Sequence, residues 1–87
     1  MKRTYSSYSD PGHGWMRVPI KDLAMLDLTH KSFSAYSYYR GDYLYLEEDS
    51  DATLFLKTFE KVFGKLPAYR EFNSNKSSKI RSYGRLS

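Results

Sequence analysis

His13 sits between two glycines in Asp10-Pro11-Gly12-His13-Gly14, and its imidazole is the side chain best suited to moving a proton near neutral pH. The glycines would let a substrate come close. The ring would need an orienting carboxylate: Asp10 is three residues away, and Glu47, Glu48 or Asp49 could be brought near by folding. No Ser or Cys stands in a recognisable nucleophile setting, and no phosphate-cradling glycine loop is present. The sequence therefore names no catalytic residue and points to a non-enzymatic protein. Asp10 and His13 remain a candidate loop site, expected to be structural first, with His13 bonding a backbone carbonyl.

Metal binding would draw on His13, His30 and the run Glu47-Glu48-Asp49-Ser50-Asp51, whose oxygens suit calcium or magnesium. The run lacks the central glycine and twelve-residue ligand spacing of a calcium loop. Acidic residues entering a helix N-terminus, favoured by the peptide dipoles and left in water, explain it better. No metal and no cofactor are expected.

The other chemistry-bearing cluster is aromatic. Five of the nine tyrosines fall in Tyr36-Ser37-Tyr38-Tyr39-Arg40-Gly41-Asp42-Tyr43-Leu44-Tyr45. Gly41-Asp42 between two alternating runs signals a hairpin. An even-length reversal there puts Tyr36, Tyr38, Tyr43 and Tyr45 on one face, and Phe33, Ala35, Leu44 and Leu46 on the other. The aliphatic face is a core face. The tyrosine face is either covered by the N-terminal arm or Trp15, or it meets a partner. With Arg40 among them, these rings have the composition of a protein-docking surface, since tyrosine offers large contact area with few rotors to freeze. Alternatively they stack single-stranded nucleic acid, with the tail cations Lys76, Lys79, Arg81 and Arg85 following the phosphates.

Charge favours the protein-binding reading. The net charge of +4 comes entirely from those four tail cations, because residues 1–75 hold ten basic and ten acidic side chains. The 87 residues form one domain with a thin core, although 17% aromatic content gives each buried ring a large area to contribute. The absence of cysteine excludes disulfides and thiolate metal sites, and fits a reducing, cytoplasmic setting. No stretch approaches the roughly 20 apolar residues of a membrane span, and no signal-like apolar run follows Met1-Lys2-Arg3. Membrane insertion and secretion are not expected.

The elements that must hold these residues are readable in part. Residues 1–9 read as a polar arm, 10–72 as a single α+β domain, and 73–87 as a basic polar tail or edge strand. Residues 15–18 alternate as a strand, with Trp15 and Arg17 on one side and Met16 and Val18 on the other. Residues 20–28 read as a short helix. Residues 32–47 form the hairpin. Ala52, Phe55, Leu56, Phe59, Val62, Phe63 and Leu66 recur at helical spacing, giving an amphipathic helix over 51–63 that starts at Asp49 or Ser50 and stops at Gly64. Its phenylalanines are expected in the core. Tyr69 and Phe72 read as aromatic anchors after it, and 79–83 as a C-terminal strand. The expected fold is a small antiparallel sheet packed on the 51–63 helix through Leu44 and Leu46, with an edge that makes it a candidate for pairing with itself.

Several pieces together resemble a group of small proteins encoded by tailed bacteriophages. They are Asp10-Pro11-Gly12-His13-Gly14-Trp15 with Val18-Pro19, Tyr36-Ser37-Tyr38, Tyr45-Leu46-Glu47-Glu48-Asp49 with Asp51 and Phe55, and Ile80-Arg81-Ser82-Tyr83 with Arg85. The resemblance spans residues 10–85 and implies a context: a small viral protein made in the bacterial cytoplasm that works by binding a host or phage macromolecule, inhibition of host defence being one such use. It implies no activity. The leading expectation is a protein-binding module acting through Tyr36, Tyr38, Arg40, Tyr43 and Tyr45, and the alternative is a nucleic-acid binder.

Overall fold

The computed structural model describes residues 4–34 and 36–85. Its centre is a six-stranded sheet, with β1 (Thr4–Ser9), β2 (Gly14–Pro19), β3 (Tyr38–Arg40), β4 (Tyr43–Glu47), β5 (Ala68–Asn73) and β6 (Gly84–Arg85). The spatial order is β5-β1-β2-β4-β3-β6. All neighbours are antiparallel except β1 and β5, which run parallel. The fold is thus α+β, but the sheet is larger than the expected hairpin-based one and is mixed.

Helix α1 (Asp51–Phe63) crosses one face of this sheet. Alternation along the strands makes that face apolar: Tyr5, Met16, Val18, Leu44 and Leu46 meet Ala52, Phe55 and Phe59 in one buried cluster. Leu23, Leu26 and Phe33 close its rim. Phe55 and Phe59 meet the Tyr5 ring edge-on at 5.2 and 6.2 Å. The helix stops at Gly64, as expected from its sequence. The outer part of its stripe is not core: Val62, Phe63 and Leu66 are about half exposed, because the sheet ends before α1 does.

The hairpin reversal has two residues, Gly41 and Asp42, so Tyr38 faces Tyr45, Tyr39 faces Leu44 and Arg40 faces Tyr43. Gly41 has φ +58° while Asp42 is not left-handed, which is the pattern of a type II′ turn. Strand β3 is shorter than a hairpin over 32–47 would give. Residues His30–Ser32 form a 3-10 turn held by a Thr29/Ser32 capping box, and Ala35 lies outside the described residues.

Four further expectations are corrected. Residues 4–9 of the polar arm form β1, an interior strand paired with β5 on one side and β2 on the other. Residues 20–28 form two 3-10 turns, Ile20–Asp22 and Ala24–Leu26, ended by Asp27 at φ +58°. The hydrogen bonds there run three residues back, Leu23 N–H to Ile20 O and Leu26 N–H to Leu23 O, before Leu28 N–H returns to Leu23 O. The anchors after α1 belong to β5, paired with β1 from Thr4↔Ala68 to Ser9↔Asn73. Finally, 79–83 is a 3-10 turn, Lys79–Ser82, capped by the Ser78 side chain, and the C-terminal strand is only Gly84–Arg85. No helix among the described residues is long and apolar enough to cross a membrane.

Candidate functional site

The sheet face away from α1 carries two rows of side chains. Cross-strand pairing aligns Arg70, Ser6, Arg17, Tyr45, Tyr38 and Arg85 across all six strands, and Phe72, Tyr8, Trp15 and Glu47 beside them. Arg40 and Tyr43 form a shorter pair on the far side of the first row. The turn Lys79–Ser82 lies over one end, where Trp15, Tyr38, Tyr45 and Ile80 make a second buried cluster flanked by Tyr8 and Tyr83.

This cover changes the tyrosine surface. Tyr38 and Tyr45 share a face as the parity argument requires, but they are only 7% and 8% exposed, sealed by the chain's own C-terminal turn. Burial pushes the Tyr45 phenol up, with the neighbouring Tyr83 adding to the effect and Arg17 opposing it. Tyr43 is partly open at 38%, and Tyr36, outside the strands, is 70% exposed. The five residues expected to dock a partner therefore do not form one open surface.

What the face gathers instead is arginine. All five arginines among the described residues are there: Arg17, Arg40, Arg70 and Arg85 project from its strands, and Arg81 reaches Trp15 from the turn. They interleave with rings. Arg17 lies 4.7 Å from the Tyr43 centroid and 5.9 Å from that of Tyr8, Arg40 is 5.0 Å from Tyr83, Arg81 5.3 Å from Trp15 and Arg85 5.4 Å from Tyr38. Stacking on π faces orients these four guanidinium groups, and the N–H edge of Arg81 is given to Asp10. Phe72 stacks on Tyr8 at 5.3 Å and is 48% exposed at the sheet edge. The tail lysines Lys76 and Lys79 are exposed on the segment that returns to this face.

Of the five arginines among the described residues, only Arg81 has a carboxylate ion pair there. Asp10 accepts Arg81 Nε at 2.7 Å and Nη2 at 2.9 Å, and also the N–H groups of Ser78, Gly12 and His13. The Arg81 guanidinium above all, with those N–H donors, holds the Asp10 carboxyl well below the usual carboxylate range, and the same bond raises Arg81. A Cβ on Gly12 would sit 2.7 Å from Arg81 Nη2, so a larger residue there would require the guanidinium to shift on Asp10. The candidate loop residue Asp10 is thus a clamp tying the β1–β2 turn to the C-terminal turn.

His13 does meet a carboxylate, Glu47, with Nδ1 3.8 Å from Oε1. Its backbone N–H bonds Asp10, in place of the expected imidazole bond to a carbonyl. Glu47 Oε2 accepts the Asp49 and Ser50 N–H groups at the mouth of α1, so it caps the helix from outside, while the Ser50 side chain makes no capping bond. Asp51 is likewise turned inward, accepting from Ser34 N–H, Ser34 Oγ and Ser37 Oγ. Glu47 and Asp51 are buried, against the expectation that the acidic run stays in water. No three His, Cys, Asp or Glu side chains among the described residues converge where they could hold a metal ion.

A pocket of about 430 Å³ is lined by the His13–Glu47 pair, by Trp15, Tyr36 and Tyr38, by Asp49 and Ser50, and by Arg81 and Arg85. The arginines and this pocket were not found together from sequence: Arg17, Arg40 and Arg70 have no shared spacing, and they meet only through strand register. Comparison of the chain with protein-family models, with curated proteins and with solved structures finds no match.

Proposed function

We propose that this protein binds single-stranded nucleic acid across the arginine face of its sheet. One observation carries the reading: all five described arginines share one face, interleaved with aromatic rings, and four of them lack a carboxylate ion pair. A neutral body with a basic tail would be a poor phosphate binder. Segregation of guanidinium groups onto one face makes it a better one, since affinity follows the number of phosphates neutralised. Tyr43 and Phe72 supply partly open rings on which bases can stack, at a contribution of about 1–3 kcal/mol per base. The bacteriophage context implied by the residue pattern supplies such strands from host and virus alike. Binding of a fluorescent oligothymidylate, followed by anisotropy, tests it. Affinity should fall steeply between low and physiological salt; absence of binding at low salt would refute the reading.

The second reading is a protein-docking module that modulates a host or phage protein, favoured by the exposure of Tyr36, Arg40 and Tyr43. Such an interface would hold nearly unchanged over the same salt range.

A further inference from the structure

We infer that the pocket beside Arg85 takes a guanine base from the bound strand; the inference rests on the nucleic-acid reading and adds a base preference to it. The pocket's size, about 430 Å³, falls within the roughly 300–1,000 Å³ of small-molecule sites. Its walls are aromatic. Tyr36 is 70% exposed and makes no ring contact among the described residues, so its face is open for a planar ligand opposite Trp15 and Tyr38.

Polarity fixes which part of a nucleotide enters. Glu47 and Asp49 put carboxylates inside or at the mouth, and these repel a phosphate. Two arginines share the lining; Arg81 is held by Asp10, which leaves Arg85, continuous with the arginine row, as the cation for a phosphate. The base must therefore point inward and its phosphate outward toward Arg85. Glu47 Oε2 is committed to the Asp49 and Ser50 N–H groups. The Asp49 side chain is exposed and accepts no hydrogen bond from the described residues, which leaves it as the principal acceptor. A carboxylate with both oxygens open matches two adjacent N–H donors. Guanine offers that pair, N1–H and the N2 amino group, on its Watson–Crick edge, whereas adenine and cytosine each offer one amino group and thymine a single N–H.

The test compares oligothymidylate with the same oligomer carrying one central guanine, and with inosine in place of that guanine. The guanine oligomer should bind roughly tenfold tighter than the other two, the size of effect of one good bidentate base contact. Asp49→Asn should abolish that preference, read as the ratio of guanine-oligomer to oligothymidylate affinity. Equal binding of all three by the native protein overturns the pocket assignment while sparing the arginine face, as does a preference that survives Asp49→Asn. If oligothymidylate does not bind, the surface reading falls by itself, and GMP against IMP and UMP then decides the pocket through fluorescence of Trp15, the sole tryptophan. Selective quenching by GMP supports the pocket, and equal or absent quenching overturns it.

Discussion

Arg81 grips Asp10 through two hydrogen bonds, Nε to Oδ2 at 2.7 Å and Nη2 to Oδ1 at 2.9 Å, across 71 positions of sequence. Through this clamp the C-terminal turn is held over Trp15, Tyr38 and Tyr45. Its breakage should open the second core cluster without touching the first.

Acid should break it. The Asp10 carboxyl is depressed in the folded state, so its stabilisation is present in full well above its ordinary value of 3.8 and is lost as pH falls below that value. The melting-temperature difference between the native protein and Asp10→Asn should be largest at neutral pH and shrink below about pH 4. A difference independent of pH would contradict the clamp.

Phe55→Ala should cost about 3–5 kcal/mol in a denaturant melt, as expected for emptying a fully enclosed aromatic site. Val62→Ser, about two turns beyond on a half-exposed site, should stay within about 0.5 kcal/mol. Similar losses for both would mean that the distal stripe of α1 is covered after all.

Gly41→Val should destabilise the hairpin by about 1–2 kcal/mol through backbone conformation alone, since φ is +58° and no atom lies within 4 Å of a Cβ there. Urea midpoints compared with those of Asp42→Asn give the readout. A neutral Gly41→Val would contradict the left-handed turn residue.

Legibility of this fold follows the range of the interactions. Helix α1 was readable because Phe55 and Phe59 repeat locally and Gly64 stops the chain, and the Tyr38–Tyr45 pairing because Gly41-Asp42 sets parity within a few residues. Strand β1 was hidden because Ser6 and Ser7 separate Tyr5 from Tyr8, so no apolar alternation marks it as a strand. Strand β5 was hidden because its partner lies 64 positions away, as Ser9 and Asn73 illustrate. The candidate site suffered most. In sequence Arg81 and Arg85 read as phosphate contacts on a basic tail or edge strand, whereas Asp10 and Tyr38 give them their places on the sheet, and the burial of Tyr38 and Tyr45 follows from that same long-range docking.

The central claim is that placement of arginine on one face, rather than net charge, drives binding. Its most direct test is a charge-matched pair of triple variants, Arg17→Gln/Arg40→Gln/Arg70→Gln against Lys57→Gln/Lys61→Gln/Lys65→Gln, measured for oligothymidylate affinity as a function of salt. The arginine variant should lose affinity and lower the slope of log K against log salt by about 2, at about 0.7 for each phosphate contact removed, while the lysine variant keeps the native slope. Equal losses in both variants, or an unchanged slope in the arginine variant, would contradict the account.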